Sequence, residues 1–285
     1  MAALIPAAHT GQRCSPLNNP NIPMEKHQDA EEMWRAELTG KSPRLRHLRR
    51  WLKLLPSEPR CKLCNAPFHG LGRPIAALLG RQPSRKNPRF CNYCETIARV
   101  YRGGAEVELT LLFADVRGST ALAERVTASE FSRLMNRFYD VATRVLIDSD
   151  AWIDKLVGDE VIAFYLPFLE DHAARAVRAG QELMRATGQG GPGGPWIPVG
   201  IGIQTGTAFV GAIGSADTVT DFTALGDAVN IAARLVAAAA AGEILMNEAA
   251  YAAAGLAGTN LERRELTLKG RTESVGVRVL RVANV

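Results

Sequence analysis

The spacing of apolar and polar residues in the first hundred residues differs from that in the rest of the chain. Residues 1–28 show no periodicity and are rich in Pro, Asn, Gln and His, which predicts a disordered arm. From Ala30 to Leu55 the spacing becomes helical, with a break near residues 40–43. The second helical piece carries an apolar face made of Leu45, Leu48, Trp51, Leu52 and Leu55. This face predicts packing on the protein itself, and binding to a membrane surface or a partner is the alternative.

From residue 105 onward the pattern alternates between strands and helices. Short apolar runs predict strands at 107–114, 161–166, 197–203, 208–213, 261–268 and 275–282. Helical spacing predicts a helix that opens with the capping box Thr127–Glu130, and further helices at 171–187 and 226–240. This mixture predicts an α+β fold in which helices cover a largely antiparallel sheet. The chain then divides into an arm (1–28), a basic helical and cysteine-containing segment (29–104) and a larger domain (105–285).

Two aspartates stand where predicted strands end. Asp115 closes the first apolar strand of the larger domain and is followed by a turn of Gly118, Ser119 and Thr120 that opens a helix. Asp159 lies in a second strand–turn–strand about 44 residues later. Carboxylates fixed at neighbouring strand ends form a hard-oxygen site of the kind that Mg²⁺ or Mn²⁺ prefers, and such ions commonly carry substrate phosphates. Backbone N–H groups of the turn are suited to face an anion.

Four of the five cysteines form two C-x-x-C pairs, Cys61 with Cys64 and Cys91 with Cys94. Two such pairs suit one tetrahedral metal site, and a metal would stabilise a segment that is too broken by Pro and Gly to form a large core. Zinc is favoured, and an iron–sulfur cluster on the same thiolates is the alternative. A redox pair is disfavoured because neither C-x-x-C follows a predicted strand. His69 is an alternative ligand, and Cys14 is expected to be a bystander.

Charge is distributed unevenly along the chain. Residues 1–104 hold 18 Lys+Arg against 7 Asp+Glu, whereas the remainder holds 16 against 22. The basic part is compatible with nucleic acid or anionic lipid, but it also simply offsets the acidic part, which is the interpretation we favour. We therefore expect no nucleic-acid partner. No stretch approaches the roughly 18 apolar residues of a membrane span, and no signal peptide is evident, so we expect a cytoplasmic protein.

Three linked motifs resemble the catalytic domain of class III nucleotidyl cyclases, over roughly residues 106–283. They are Phe113-Ala-Asp-Val-Arg-Gly-Ser-Thr120, Lys155-Leu-Val-Gly-Asp159 and Thr223-Ala-Leu-Gly-Asp-Ala-Val-Asn-Ile-Ala-Ala-Arg234. The resemblance implies a ferredoxin-like α+β architecture. It also implies an adenylate cyclase that converts ATP to 3′,5′-cyclic AMP and diphosphate, with two Mg²⁺ or Mn²⁺ ions held by Asp115 and Asp159.

The resemblance also assigns expected roles to further residues. Asn230 would orient the ribose, and Arg234 would stabilise the charge that develops in the transition state. Lys269 would bind the β- and γ-phosphates, and the backbone around Gly118, Ser119 and Thr120 would hold the triphosphate. Thr207 stands where some relatives use a phosphate-binding arginine, so that contact is not expected here.

The choice of base depends on Lys155 and Thr223, the positions that match the purine-reading pair of the family. A lysine donates to N1 of adenine, whereas guanine carries a hydrogen at N1. Thr223 stands where many adenylyl cyclases have Asp, and its hydroxyl can accept from the adenine amino group. A guanylate cyclase or an enzyme with relaxed base preference is the alternative, and a nucleotide-binding or protein-interaction module without turnover is a further one.

The family forms its active site between two catalytic domains. One domain supplies both aspartates, and the other supplies the purine-, ribose- and transition-state-binding residues. This chain carries both sets in one domain, so the resemblance implies a homodimer with two equivalent sites. Because the cysteine pairs lie close to the catalytic part in sequence, we expect the cysteine-containing segment to regulate activity.

Overall fold

The computed structural model describes residues 24–55, 59–61, 63–85, 88, 90–100, 103–214, 220–267 and 274–282. The predicted arm falls largely outside the described residues, as does Cys14 within it. Its last part is different from the expectation, because the first helix begins at Met24 and so includes residues 24–28. In the described ranges, no helix is both long and apolar enough to cross a bilayer.

The first part of the chain forms short helices around the cysteines. Helix α1 spans Met24–Leu38, α2 spans Pro43–Lys53, and the predicted break lies between them. A 3₁₀ turn at Gly70–Gly72 leads into α3 (Arg73–Leu78), and α4 spans Asn92–Val100. Residues 59–100, which include α3, α4 and all four clustered cysteines, are called the cysteine segment below.

The C-terminal domain (residues 103–282) is built on one twisted sheet, and the predicted α+β fold is confirmed. Its strands are β1 (Gly103–Val116), β2 (Trp152–Val157), β3 (Glu160–Tyr165), β4 (Val199–Gly214), β5 (Thr220–Leu225), β6 (Glu243–Asn247), β7 (Glu262–Thr267) and β8 (Ser274–Arg281). Its helices are α5 (Ser119–Ala123), α6 (Ala128–Asp148), α7 (His172–Ala186), α8 (Asp227–Ala238) and α9 (Glu248–Ala253). The strand order is β2-β3-β1-β4-β6-β8-β7, with β5 paired to the far end of β4.

Most strand neighbours are antiparallel, as predicted, and the pairing of β4 with β6 is parallel. The two strands predicted at 197–203 and 208–213 are in fact one continuous strand, β4, which pairs with β1 over its whole length. Strands β5 and β6 and helix α9 were not predicted. The capping box is confirmed, because the Thr127 side chain accepts from the Glu130 N–H while Glu130 returns a bond to the Thr127 backbone.

The two faces of the sheet bury two different cores. Along β1, Leu112, Ala114 and Val116 face a core shared with α6, α7 and α9. The alternate residues Leu109, Leu111 and Phe113 face a second core. Because side chains alternate along a strand, Asp115 follows Phe113 on this second face.

The second face is covered by α8 and by the first part of the chain. Gly202 on β4 permits a close approach of α8, since a β-carbon there would lie 2.9 Å from the Ala232 carbonyl oxygen. Leu52 of α2 is buried in the same core, and Leu48 and Leu55 pack against it, so the prediction that α2 packs on its own protein is confirmed. Trp51 departs from the predicted apolar face. It is 61% exposed and donates its indole N–H to His47 over 2.8 Å.

Candidate functional site

The two predicted metal-binding aspartates lie side by side at one end of the sheet. Asp115 is the last residue but one of β1, and Asp159 lies in the two-residue turn between β2 and β3. Strand pairing sets Asp115 opposite Glu160. The backbone N–H of Val116 donates to the carbonyl oxygen of Asp159 over 3.1 Å. Gly158 provides the positive φ (63°) that suits so tight a turn.

Arg117 places a positive charge among these carboxylates. Its guanidinium forms an ion pair with Asp115 and donates through Nη1 to the Ala237 carbonyl over 3.5 Å, at the end of α8. Burial raises the pKa of Glu160, and the negative charge of Asp159 raises this pKa further. Burial also lowers the pKa of Arg117 from its ordinary value, although the arginine stays far from deprotonation at neutral pH. The cluster therefore carries more negative charge than Arg117 offsets.

Two hydroxyl groups hold the turn that carries Asp159. The Ser119 hydroxyl donates to the Asp159 carboxylate, and Tyr139 of α6 donates to the carbonyl oxygen of Gly158 over 2.5 Å. Burial, reinforced by the charge of Asp159, raises the pKa of Tyr139, so this phenol remains a donor at neutral pH. Gly118 adopts a left-handed conformation (φ 72°) and α5 begins directly after it, so the predicted turn does lie beside Asp159.

The donor set at this end of the sheet fits the divalent ions predicted from the sequence. Mg²⁺ and Mn²⁺ prefer oxygen ligands, and Mg²⁺ usually binds one or two carboxylates together with waters and substrate phosphates. Asp115 and Asp159 offer two such carboxylates, and the Asp115 side chain remains 22% exposed. The remaining ligand positions would then be filled by water and by a phosphate-bearing substrate.

The predicted base-reading residues lie on strands that are not neighbours in the sheet. Lys155 is exposed on β2, and Thr223 is buried on β5, which pairs with β4 rather than with β2. Asp154, directly before Lys155, accepts a hydrogen bond from Thr223 Oγ1 over 2.9 Å. Thr223 therefore contacts the residue that directly precedes Lys155, and sequence reasoning did not single out that residue.

Asn230 and Arg234 lie one turn apart on α8. The helix turns its apolar side towards the protein and buries Ala228, Ile231, Ala232, Leu235 and Val236. Asn230 is exposed and Arg234 half-buried, so both polar side chains lie towards the open side of the helix. Within the described part of the chain, the ion-pair partner of Asp115 is Arg117 and not Arg234. Lys269 lies outside the described residues.

The four cysteines converge on one buried point, as the two C-x-x-C pairs predict. Their sulfur atoms all lie within 4.8 Å of one another. Cys61 Sγ lies 4.0 Å from Cys94 Sγ, and Cys64 Sγ lies 3.7 Å from Cys91 Sγ. Four sulfurs at these distances can bind a single ion. The alternative ligand His69 is exposed and does not belong to the group of potential ligands found in the described part of the chain.

Arg81 brings a positive charge to this cluster. Its Nη1 lies 3.2 Å from Cys64 Sγ and 3.9 Å from both Cys91 Sγ and Cys94 Sγ. Its guanidinium also lies over the Tyr93 ring, 4.3 Å from the centroid. Burial opposes the charge of Arg81, but the neighbouring thiolates outweigh that effect and raise its pKa. An ion bound by four thiolates would carry net negative charge, which Arg81 is placed to offset.

Aromatic rings join the cysteine segment to the strands that carry the base-reading pair. Phe90, which directly precedes Cys91, packs against Trp152 of β2 with ring centroids 5.0 Å apart. Trp152 in turn meets Phe222 of β5 edge-on at 4.9 Å, and Trp34 of α1 stacks on Phe222 at 6.1 Å. Phe90 therefore connects the cysteine segment to β2 and β5, the strands that carry Lys155 and Thr223.

Arg117, Asp154 and Arg81 are among the residues of these sites that sequence reasoning missed. Arg117 lies within a recognised motif, but nothing in that motif indicates that it pairs with Asp115. Asp154 and Arg81 make contacts with residues 69 and 17 positions away. Asp154 directly precedes Lys155 and Arg81 lies between the two cysteine pairs, but neither position in the sequence reveals the contact.

Comparison with known proteins identifies the domain that carries the aspartates. Residues 104–280 match the adenylate and guanylate cyclase catalytic domain, which is more than half of the chain. An adenylate cyclase of Anabaena cylindrica is 33% identical over 133 residues, and adenylate cyclase 1 of Rhizobium meliloti is 32% identical over 135 residues. Each alignment covers 45% of this chain, but only 26% and 20% of those longer proteins.

Solved structures agree on the fold but differ in the base they are named for. The guanylyl cyclase Cya2 is 27% identical with a TM-score of 0.54, over 62% of this chain and 93% of that one. The adenylyl cyclase CyaB from P. aeruginosa is 29% identical with a TM-score of 0.53, over 62% of this chain and 96% of that one. Overall similarity therefore does not distinguish ATP from GTP.

Proposed function

Because the chain belongs to the adenylate and guanylate cyclase catalytic domain family, and is thus a class III nucleotidyl cyclase, we propose that it converts ATP to 3′,5′-cyclic AMP and diphosphate. The observation that carries this proposal is the pairing of β1 with β3, which sets Asp115 beside Asp159 at the end of the sheet. Ser119 and Tyr139 hold the turn that carries Asp159 in place, and Arg117 forms an ion pair with Asp115.

The proposed reaction exchanges one phosphorus–oxygen bond for another. The ribose 3′-oxygen forms a bond to the α-phosphorus and gives up its proton to water. The bond between the α-phosphorus and the oxygen that bridges to the β-phosphate breaks, and diphosphate leaves with the electron pair. Asp115 and Asp159 would hold two Mg²⁺ or Mn²⁺ ions. When bound, such ions lower the pKa of the 3′-hydroxyl and neutralise phosphate charge.

The remaining roles fall to side chains on the open side of α8 and to the turn beside Asp159. Asn230 would orient the ribose, and Arg234 would donate to the α-phosphate as negative charge develops in the transition state. The backbone of residues 116–120 would hold the triphosphate. Lys269 would bind its terminal phosphates, a role that rests on the sequence motif alone.

ATP is the proposed substrate because of the Lys155 and Thr223 pair. A lysine ammonium only donates, so it complements the N1 acceptor of adenine and not the N1–H of guanine. A guanylate cyclase or a purine nucleotide cyclase of relaxed preference is the alternative, since both adenylyl and guanylyl cyclases are among the similar structures.

The test of this proposal is cyclic nucleotide formation by the purified protein with Mn²⁺, with ATP and GTP supplied separately. We expect cyclic AMP from the wild type and a loss of at least a hundredfold in Asp159→Ala, since a ligand of the catalytic ions is removed. Asp140→Ala is the matched control, because Asp140 is an exposed aspartate of α6. Cyclic GMP as the main product would favour the alternative. Full activity in Asp159→Ala would contradict the proposed site.

We also propose that two copies of the chain build each active site. One chain would supply Asp115 and Asp159, and its partner would supply Lys155, Thr223, Asn230 and Arg234. The support is that Asp115 pairs with Arg117 within the chain, whereas Arg234 lies towards the open side of α8. Inactive Asp115→Ala and Arg234→Ala chains should regain activity on mixing, because one site of the heterodimer would then be intact. An inactive mixture that still forms heterodimers would contradict the shared site.

At the cysteine cluster we propose a single zinc ion. A Zn–S distance of about 2.3 Å places neighbouring sulfurs of a tetrahedron about 3.8 Å apart, close to the 3.7 and 4.0 Å observed. The thiolates of an iron–sulfur cluster bind more than one iron atom and would have to be spread more widely. Elemental analysis should give one zinc per chain and no inorganic sulfide, and iron with sulfide would overturn this assignment.

The contact between Phe90 and Trp152 supports regulation of the cyclase by the cysteine segment. A change at the cluster would move Phe90, and through Trp152 and Phe222 it would reach the strands of Lys155 and Thr223. We expect removal of the ion to change the KM for ATP in the wild type. In Phe90→Ala that still retains the ion, the same removal should leave KM unchanged. An equal response of both proteins would contradict this route.

A further inference from the structure

We propose that Asp154 makes the nucleotide site selective for adenine by fixing the direction of the Thr223 hydroxyl. Asp154 is thus a positioning residue that acts through Thr223 and determines specificity. The inference rests on the proposed function, because it concerns the base that the cyclase site accepts.

The hydrogen-bonding surroundings of Thr223 determine where its single hydroxyl hydrogen points. Thr223 Oγ1 donates to Asp154 Oδ2 over 2.9 Å, and among the described residues the other acceptor within its reach is the Ala224 carbonyl oxygen at 3.5 Å. Both neighbours are oxygen acceptors that belong to the protein. Whichever of them receives the hydrogen, the hydroxyl donates inward and offers only lone pairs to a ligand.

The backbone of β2 is shaped to aim Asp154 at Thr223. In the pairing of β2 with β3, Ile153 lies opposite Ala163 and Lys155 lies opposite Ile162, so Asp154 is an extra residue without a place in the ladder. Such a β-bulge redirects a side chain and is frequent next to active sites. Here it turns a carboxylate towards a strand, β5, that is not a sheet neighbour of β2.

Burial makes this hydrogen bond dependable. Asp154 and Thr223 are each 5% exposed, and the contact of Trp152 with Phe222 joins the same two strands beside it. A hydrogen bond to a carboxylate is stronger where water is excluded. We therefore expect the Thr223 hydroxyl to keep donating to Asp154 when a nucleotide binds.

The consequence is a donor and an acceptor that complement one purine. Lys155 follows Asp154 directly and is exposed, and its ammonium offers only donors. Adenine presents an acceptor at N1 and an amino donor at C6, whereas guanine presents a donor at N1 and an acceptor at C6. An acceptor at Thr223 would receive the adenine amino group and repel the guanine oxygen.

The experiment compares kcat/KM for ATP and for GTP in variants of the full chain. Asp154→Asn replaces an obligatory acceptor with an amide that can donate to Thr223, which frees the hydroxyl to donate to guanine. We expect the ATP-to-GTP ratio to fall roughly tenfold or more. In a Thr223→Val background, Asp154→Asn should change this ratio no further, because its effect is transmitted by the hydroxyl. Asp221→Asn, the same charge change on β5, should leave the ratio unchanged.

An equal loss with both nucleotides, at an unchanged ratio, would show a purely structural role for Asp154 and overturn the inference. Should Asp154→Asn not fold, the substrate can be varied instead. Purine riboside 5′-triphosphate lacks the 6-amino group, so the wild type should prefer ATP over it roughly tenfold and Thr223→Val should not. Absence of this preference in the wild type would also overturn the inference. A wild type that forms no cyclic nucleotide from any purine would instead refute the proposed function itself.

Discussion

The cysteine segment and the C-terminal domain hold their chains together by different means. In the domain, a continuous sheet separates two apolar cores, and the cysteine segment packs into one of them. In the cysteine segment the regular helices α3 and α4 have 6 and 9 residues, and four buried cysteines occupy the centre. The N-termini of the helices differ in the same way. Helix α6 starts at a complete capping box, whereas α4 starts directly after Cys91.

The cysteine segment and the C-terminal domain should therefore respond to different perturbations. A domain with a large apolar core is destabilised when that core is damaged, and a chelator should not change the stability of its fold. A small segment stabilised by a metal unfolds when the metal is withdrawn, because the free energy of metal binding is then its free energy of folding.

The largest expected effect follows from metal removal. Withdrawal of the proposed zinc ion from the four thiolates should cost the cysteine segment on the order of 10 kcal/mol. Hydrogen exchange measured by mass spectrometry should then become fast over residues 59–100 while β1 and β4 stay protected. Cys91→Ser should have the same effect, and Cys14→Ser is the control. Simultaneous loss of protection in both regions would show that they fold as one unit.

Truncation of a core side chain should destabilise the C-terminal domain and leave metal binding by the cysteine segment intact. Phe138 of α6 is fully buried, and Phe138→Ala should lower the free energy of unfolding of the C-terminal domain by about 3–5 kcal/mol because it leaves a cavity. Guanidinium titration followed by circular dichroism measures this change. The metal content of the folded protein should not fall. Trp51→Ala removes an exposed aromatic ring and should cost less than about 0.5 kcal/mol.

A buried carboxylate should give the domain a pH dependence of its own. Hydrogen bonds from Arg264, joined by Arg281, lower the pKa of Glu243 from 4.5 to about 2. Because the folded pKa lies below the ordinary one, this stabilisation is complete above about pH 4.5 and is lost as the pH falls towards 2. Glu243→Gln should cost roughly 2 kcal/mol at pH 7, less than full linkage because both arginines are partly exposed.

The control for Glu243 is Glu248, which also forms ion pairs but is 44% exposed. Glu248→Gln should cost under about 1 kcal/mol. Equal costs for the two substitutions, or a Glu243→Gln protein that keeps the acid transition of the wild type, would contradict the assignment of this transition to Glu243.

The smallest expected effect comes from the capping box of α6. Thr127→Ala removes the side chain that accepts from the Glu130 N–H and should cost about 1 kcal/mol. Thr127→Ser keeps the hydroxyl and should restore most of this loss. Thermal unfolding of the domain gives the readout, and the cysteine segment should retain its metal in both variants. Loss of metal in Thr127→Ala would contradict this expectation, because it would show that the stability of α6 and metal binding by the cysteine segment are coupled.

Elements that depend on local signals could be predicted from the sequence. The strand before Asp115, the hairpin around Asp159 and the start of α6 each follow from an apolar run, a glycine turn or a cap. Convergence of the four cysteines was predictable for the same reason, because each C-x-x-C pair is itself local. The position of Asp115 beside Asp159 depends on the pairing of β1 with β3, and the placement of both carboxylates at predicted strand ends already indicated that they would be neighbours.

The missed features depend on contacts between distant residues. Two separate strands were predicted at 197–203 and 208–213, yet β4 continues through residues 204–207. The Thr205 hydroxyl forms a hydrogen bond with the Thr110 hydroxyl at 2.7 Å. The Asn247 side chain accepts from the Thr205 backbone N–H at 3.1 Å and donates to the Thr205 carbonyl oxygen at 2.9 Å. Likewise, the bond from Thr223 to Asp154 depends on a β-bulge, for which the sequence holds no recognised signal.

The stacking of Trp34 on Phe222 bears on how such a chain can be assembled in evolution. Composition divides the chain near residue 103, but this contact crosses that line, and so does the contact of Phe90 with Trp152. A gene fusion that exchanged the first hundred residues would uncover two aromatic rings on the sheet. A successful replacement must therefore arrive with its own apolar cover for Phe222 and Trp152.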